Sequence, residues 1–268
     1  MHLSLAKPPL LPSLGLALMA LGANTARAED GFHGLLGAGI AYAPAYDGAK
    51  ERRTQFMLLP DLRYRSGAFE ASTTGGLRYW AIDKEDLQLA LVLGVDSGRA
   101  EKKTKGGLGA EGSDRLKGMG KLSATAELGL AGSWQGLGLP LSFSVMRALG
   151  SKGHGGTHGT VEASWPFYSR DKLQLAAELG VGWGDKRYNQ AYYGVTTAQA
   201  ARTAFKAYAP RAGLHGLDLR LNGHYQLTER WSLMGSVGYH RLLGDASKSP
   251  LTERKATPVA MLGVGYKF

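Results

Sequence analysis

Apolar and polar residues alternate at a period of two over most of the chain beyond residue 30. In 217–227, for example, leucine or tyrosine recurs at alternate positions, with charged or amide side chains between them. Because successive side chains of a β-strand point to opposite faces, each such segment has one apolar and one polar face. The segments run about 9–13 residues, longer than the ~5–6 of an ordinary strand and close to the ~9–11 that a tilted strand needs to cross a bilayer.

Two architectures use strands of this kind. A soluble sandwich buries the apolar face between two sheets, whereas a transmembrane barrel turns it to lipid and turns the polar face to the lumen. The long strands, the small and charged residues of the polar faces and the aromatic residues at strand ends favour an all-β, antiparallel, up-and-down transmembrane β-barrel. Twelve strands are expected near 31–43, 53–65, 67–73, 75–82, 86–97, 118–133, 138–149, 157–168, 172–185, 213–226, 230–244 and 257–268.

The weak point of this strand count is the region 67–82, where a turn at 74–76 must divide two short strands, so ten strands is the alternative. Barrels of this class have short periplasmic turns and longer outer loops, which places 98–117 and 186–212 outside. Tryptophan prefers the headgroup level. We therefore expect four tryptophans to lie at the membrane surface beside the periplasmic turns: Trp80, Trp134, Trp165 and Trp231.

Both ends of the chain resemble export signals. Residues 1–28 resemble a secretory signal peptide, with a small-x-small site at Ala26 and Ala28 that predicts cleavage before Glu29. Residues 29–268 would then form a single barrel domain. The last strand alternates and ends on an aromatic residue, which resembles the signal read by the barrel assembly machinery; its residues are Leu262, Val264, Tyr266 and Phe268.

Composition narrows the possible partners. The chain has 268 residues, 39 of them glycine, no cysteine and a formal net charge of +10. Beyond the N-terminal stretch no apolar run approaches the ~18 residues of a spanning helix. Export makes nucleic acid an unsuitable partner despite the basic charge.

Lysines and arginines of the outer loops suit either a solvated surface or the phosphates of lipopolysaccharide in the outer leaflet. Glycines on lumen faces would relieve crowding in a narrow barrel.

Several chemical motifs are weak. His154 and His158 lie four apart, but the two glycines between them predict a loop, so we expect no metal site. The glycines at 107, 109 and 112 match a dinucleotide-binding spacing without the flanking strand and helix, so no cofactor is expected. Thr196 and Gln199 resemble a capping box and predict a short helix near 198–205 in an outer loop.

Inward-facing polar residues leave two further alternatives open. An outer-membrane hydrolase would use His224 or His240 with Asp218 and a serine at 232 or 236. A selective channel or a small diffusion pore for polar solutes would need unpaired inward charges. Mutual pairing is the interpretation we favour for these charges in a narrow barrel: Glu70, Glu127, Glu162, Glu178, Arg63, Arg78 and Arg220.

Separate motifs along the chain resemble the MltA-interacting protein (MipA/OmpV) family of outer-membrane proteins. They occur in 37–48, 59–64, 192–201, 242–250 and 266–268. The residues of these motifs that we single out are Pro44, Tyr46, Gly48, Pro60, Tyr193, Gly194, Gly244, Asp245, Ser249 and Pro250.

The resemblance implies a non-catalytic envelope protein. Its role would be a scaffold between a murein-degrading transglycosylase and a murein synthase, or a surface receptor. Most of these motifs lie on or beside expected outer loops, whereas murein enzymes work in the periplasm, where only short turns face them. The scaffold role is therefore implied by the resemblance alone.

Overall fold

The computed structural model describes residues 30–103, 112–136 and 138–268. Twelve antiparallel strands form one closed barrel, which confirms the expected fold and strand number. The expected signal peptide and its cleavage site lie outside the described residues. The strands are β1 (Gly31–Pro44), β2 (Arg52–Ser66), β3 (Phe69–Ser72), β4 (Gly76–Asp83), β5 (Leu87–Asp96), β6 (Thr125–Trp134), β7 (Leu141–Ala148), β8 (Thr157–Arg170), β9 (Leu173–Gly184), β10 (Gly213–Gln226), β11 (Trp231–Leu242) and β12 (Ala256–Lys267).

The first and last strands close the barrel. β1 pairs with β2 on one edge and with β12 on the other, in a register that places Leu35 opposite Lys267. The Phe268 N–H donates to the Gly34 carbonyl at 3.1 Å, and the Phe268 ring lies 6.0 Å from that of Phe32. Gly34 gives this ring its space, because a Cβ there would lie 2.2 Å from it. The C-terminal aromatic residue therefore stabilises the closing seam on the lipid side.

The two faces of each strand separate as the alternation predicts. On β10, Leu219 and Leu221 are each 53% exposed towards the membrane, whereas Arg220 and Asn222 are 4% and 2% exposed inside the barrel. Inward glycines make room for larger neighbours. A Cβ at Gly182 would lie 2.6 Å from the His215 imidazole.

The short hairpin of β3 and β4 is the irregular part of the wall. Its turn ends at Gly76, whose φ of +75° suits glycine and whose Cβ would lie 2.3 Å from the Leu93 carbonyl oxygen. The two strands pair over only four positions, from Phe69 opposite Tyr79 to Ser72 opposite Gly76. The outer part of β2 therefore extends well beyond the top of this hairpin.

Two short helices occupy the outer connection between β9 and β10: α1 (Lys186–Tyr193) and α2 (Thr197–Ala200). The Thr196–Gln199 capping box is present, which confirms a helix at this point, although α2 ends at Ala200 and is shorter than expected. The strand expected from 118 begins only at Thr125, after a 3-10 turn at Asp114–Leu116. In the described part of the chain, no helix is long and apolar enough to cross a membrane.

One of the four tryptophans is placed differently from the sequence expectation. Trp134, Trp165 and Trp231 are 38%, 65% and 46% exposed on the outer face of the barrel. Trp80 instead points into the lumen, where its indole N–H donates to Glu70 at 3.2 Å. The Arg78 guanidinium lies 5.8 Å from its ring. The expectation for Trp80 was therefore wrong, because buried polar partners inside the barrel satisfy its N–H.

Candidate functional site

Outer loops fold together over the extracellular mouth of the barrel, and we call this assembly the cap. It consists of 45–51, 97–103 with 112–124, 185–212 and 243–255. Each of these loops connects two neighbouring strands. Its apolar core is buried: Ala45, Tyr46, Ala49, Leu116, Met119, Val195 and Leu251, with Ala200, Phe205 and Tyr208 against it. Burial on this scale indicates that the loops form a packed structure rather than separate solvated excursions.

Polar bonds also join one loop of the cap to another. The Ser113 hydroxyl donates to Glu51 Oε2 at 2.7 Å, and this bond is the main cause of a lowered Glu51 pKa. The Gln199 amide donates to the Met119 carbonyl at 2.6 Å. The Tyr46 hydroxyl donates to the Leu251 carbonyl at 3.1 Å. Burial raises the pKa of Tyr46 to about 12, so its hydroxyl stays protonated at neutral pH.

Helix α1 crosses the mouth. Asp185 caps its first turn by accepting the Tyr188 N–H at 2.8 Å. From the other end of the helix, Tyr192 donates its hydroxyl to Asp96 at the top of β5, at 2.6 Å. Arg99, just after β5, donates to the Tyr192 carbonyl at 2.8 Å. Because β5 and β9 are four strands apart in the barrel order, these bonds span the opening.

The family-motif residues near 44–48 and 192–194 meet within this cap. The Tyr193 hydroxyl donates to Asp47 at 3.0 Å, and burial, with the Asp47 charge next, raises the pKa of Tyr193 well above its ordinary value. Gly48 adopts a φ of +85° beside Leu242. Gly194 donates to the Gln190 carbonyl and ends α1. Pro44 is the last residue of β1, where the chain enters the cap.

The motif at 242–250 joins the same assembly. The Ser249 hydroxyl donates to the Tyr193 carbonyl at 2.6 Å, and Asp245 accepts from the Arg211 side chain at 3.1 Å. Gly244 has a φ of +48° against the Leu214 carbonyl. Pro250 follows in the same turn, next to the buried Leu251. The remaining motif residue, Pro60, lies on β2 outside the cap. The structure therefore brings nine of the ten motif residues into or beside the cap.

A cluster of histidines and tyrosines lies beneath α1. His154 and His158 each place Nε2 2.9 Å from Glu127 Oε1 of β6. The Tyr188 ring stacks on His158 at a centroid distance of 4.6 Å and lies 5.4 Å from that of His215. The sequence spacing showed no acidic residue near the two histidines. The barrel supplies one, because β6 and β8 are separated only by β7.

This cluster resembles a metal site in composition but is satisfied by hydrogen bonds. The three candidate ligand atoms lie within 4.8 Å of one another. However, the Gly156 N–H donates to His154 Nδ1 at 3.2 Å, which assigns the ring proton to Nε2. That proton points at Glu127. A metal bound at Nε2 would displace it, so we interpret the cluster as a polar support for α1.

The residues considered for a hydrolase do not assemble a triad around His240. His240 Nδ1 lies 3.0 Å from Asp218 Oδ1, as a catalytic dyad would require. Ser236 is four residues away on the same strand, about 13 Å at the usual rise, and its opposite neighbour is Asn222. Ser232 lies still further along that strand. Within the described residues, neither serine therefore comes within proton-transfer distance of this dyad.

Charged side chains inside the barrel are paired, as the sequence indicated. Arg220 donates to Glu162 at 2.9 Å and to Glu178 at 3.3 Å. Arg78 lies 3.4 Å from Glu70. These pairs join neighbouring or next-neighbouring strands, so they brace the barrel wall.

Comparison with known proteins identifies the family. A family model described as MltA-interacting protein MipA matches residues 36–268. The chain belongs to the MltA-interacting protein MipA family. The MltA-interacting protein of Escherichia coli K12 is 29% identical over 108 residues, which are 40% of this chain and 43% of that protein. The 24 kDa outer membrane protein of Pasteurella multocida is 25% identical over 118 residues, 44% and 46% of the two chains.

The matched regions span less than half the length of these curated relatives. Among solved structures, the translocator domain of the autotransporter NalP from Neisseria meningitidis has 13% identity and a TM-score of 0.45, covering 97% of this chain and 96% of that one. The loop-deletion mutant of OmpT from Vibrio cholerae has 8% identity and a TM-score of 0.41, covering 88% and 98%. This MipA-family chain is an outer-membrane β-barrel.

Sequence reasoning missed α1, which closes the mouth. A local signal was present, since Asp185 is a favoured N-cap residue and Gly194 follows the last turn. The expected glycine-rich loop at 107–112 lies mostly outside the described residues; Gly112 itself forms a bridge with Ala100.

Proposed function

We propose that this MipA-family barrel is a non-catalytic anchor that holds a murein-degrading transglycosylase at the periplasmic face of the outer membrane. The cap is the observation that carries the proposal. The motif residues of the outer loops hold the cap together. Their extracellular position therefore reflects a structural role and does not require a ligand outside the cell. The name of the Escherichia coli relative, MltA-interacting protein, supports the choice of partner.

The periplasmic turns supply the surface for such a partner. They expose charges of both signs, including Lys84, Glu85, Arg170 and Asp171. Charged rims steer association and fix the orientation of a complex more than they set its affinity. A turn surface of this kind suits a transient scaffold contact better than a deep binding pocket. A murein synthase, the second partner implied by the family resemblance, would use the same face.

Two alternative functions fit the geometry less well. A diffusion pore requires an open path, whereas the cap places buried apolar residues such as Val195 and Leu251 across the mouth. A hydrolase requires a nucleophile beside the His240–Asp218 dyad, and both serines considered for that role lie too far away. A surface receptor would bind through the outer loops, so charge changes on the two faces separate it from the anchor.

The test is an affinity capture from envelope extracts with charge reversals on either face. Lys84→Glu with Arg170→Glu alters the periplasmic turns. Lys152→Glu with Lys206→Glu makes the same change in charge on exposed outer loops. We expect the first pair to lose a captured murein transglycosylase and the second pair to keep it. Loss with the outer pair alone would refute the periplasmic turns as the binding surface, and no murein enzyme with the unaltered protein would refute the anchor.

A further inference from the structure

Among the residues that the structure describes, no strand pairs with one edge of the outer half of β2, and this leaves a gap in the barrel wall. On one edge β2 pairs with β1 from Arg52 to Arg65, but on the other edge β3 pairs only with Arg63–Ser66. Across the gap, β4 pairs with β5 no further than Leu93, although β5 continues to Asp96. In the described part of the chain, no other strand fills this space. Residues 52–61 rise about 30 Å along the strand beside it. We call this gap the window.

The residues of β2 that border the window are typical of a strand at the edge of a sheet. Thr73 closes the bottom of the window, donating its N–H to the Leu62 carbonyl and its hydroxyl to the Pro60 carbonyl. Proline is confined to edges because it cannot donate to a ladder. Alternate residues of a strand direct their N–H and C=O groups to the same edge. Since Leu62 and Pro60 face the window, the backbone groups of Thr54, Phe56 and Leu58 face it too. Backbone groups without a hydrogen-bond partner are costly in lipid, and within 30–103, 112–136 and 138–268 no strand pairs with these three residues on that side.

A second copy of the chain does not fit this edge. Two copies inserted in the same direction are related by an axis along the membrane normal. With strands tilted about 35–45°, the two equivalent edges would cross at roughly 70–90° and could not form a ladder. The occupant must therefore be of another kind.

The inward face of β2 is apolar only behind the middle of the window, between Arg53 and Gln55 above and the Asp61–Arg63 ion pair below. Leu59 and Met57 of β2 point inward there, and Met57 packs against the buried Met261. Leu35 and Met234 contact the Cβ position of Gly265. Gly37 of β1 and Gly263 of β12 have no side chains to project into the lumen beside Leu59. The larger charge cluster around Arg220 lies on the β8–β10 side of the barrel.

Cations surround the upper rim of the window. Lys50, Lys102 and Lys103 are exposed. Lys103 lies in the segment that reaches the top of β2, where its N–H donates to Asp114 at 3.2 Å. The adjacent Glu51 is already bound by Ser113 and by Arg53. The rim therefore presents positive charge at the extracellular end of the barrel, directly above apolar surface.

We propose that the window admits an acyl chain of lipid A, the phosphorylated anchor of lipopolysaccharide, from the outer leaflet into the lumen beneath the cap. The chain lies on the Leu59–Met57 wall, and a phosphate group binds the rim lysines. The apolar Leu59–Met57 wall, reached from the side of the barrel, suits an acyl chain. A cationic rim suits its anionic head group. This inference is independent of the periplasmic anchor role.

Photo-crosslinking from adjacent residues on the two faces of β2 tests it. Leu59→p-benzoylphenylalanine places the probe in the lumen, and Leu58→p-benzoylphenylalanine places it in the bilayer. Ser144→p-benzoylphenylalanine is an inward control on the opposite wall. Outer membranes are irradiated, and the adducts are identified by mass. Folding of each variant is checked by its heat-dependent mobility on gels, and Met57→p-benzoylphenylalanine replaces the Leu59 variant if that variant does not fold.

We expect lipid A adducts at positions 58 and 59 and none at 144. Combining Lys50→Glu, Lys102→Glu and Lys103→Glu should lower the adduct at 59 at least threefold while the adduct at 58 persists. A folded lumen variant without an adduct overturns the proposal. Equal labelling at 144, an adduct of phospholipid mass alone, or no effect of the rim changes also overturns it.

Discussion

Leu251 is the residue whose truncation tests the cap most sharply. Its side chain is 1% exposed and packs in the core shared by several outer loops. Truncating a buried leucine to alanine costs about 2–5 kcal/mol, because apolar contacts are lost and a cavity remains. If the barrel stays folded, this cost falls on the closed cap alone. With ~1.36 kcal/mol for each factor of ten, a cost of about 3 kcal/mol raises the open population of the cap roughly 10²-fold.

Two assays detect this opening in Leu251→Ala. Local opening exposes the lysines and arginines of 185–212, so limited trypsin digestion should cut the cap much faster while the barrel remains intact. In planar lipid bilayers, the unaltered protein should be silent and the variant should show intermittent conductance. Leu219→Ala, on the lipid face of β10, is the matched control and should change neither result. If Leu251→Ala is as resistant to trypsin as the control, our account of the cap is incorrect.

Three further predictions concern the lumen and the cap. Arg220→Met leaves two buried carboxylates without their shared partner, which should destabilise the barrel by about 3–5 kcal/mol in urea unfolding from vesicles. Since Tyr46 has its pKa raised from 10.0 to about 12, the stability that it contributes is present below pH 10 and lost as the pH rises through 12. Tyr46→Phe should reduce this alkaline loss, measured as the urea midpoint of unfolding from pH 9 to 12. Gly182→Val would place a side chain against His215 and should slow barrel folding or lower the urea midpoint of the barrel. Gly67→Ala is the control: it lies in a periplasmic turn with open space, so only the backbone strain at its φ of +56° should lower stability.

The wall of the barrel was predictable because its signal is local. Alternation within one strand reports which residues face lipid, and turn residues report where strands end. The alternation within β4 also predicts the inward position of Trp80, although we expected this residue at the membrane surface. It lies two residues from Arg78, which was correctly expected to face inward, so parity alone places its ring in the lumen.

The cap and the histidine–tyrosine cluster were not predictable in the same way. Tyr193 meets Asp47 across 146 positions of sequence, and Glu127 meets His154 across 27. Such contacts depend on which strands the closed barrel brings together, and no periodicity encodes them. The window was predictable in part. The sequence predicted the short strands at 67–82, but only the pairing register shows that they leave the outer half of β2 without a partner strand on that side.

The anchor role is tested most directly by measuring the affinity of the purified barrel, in lipid nanodiscs, for a murein-degrading transglycosylase from the same organism. The account predicts saturable binding that Lys84→Glu with Arg170→Glu weakens at least tenfold, and that Lys152→Glu with Lys206→Glu leaves unchanged. Absence of binding by the unaltered protein, or equal weakening by both pairs of changes, would contradict it.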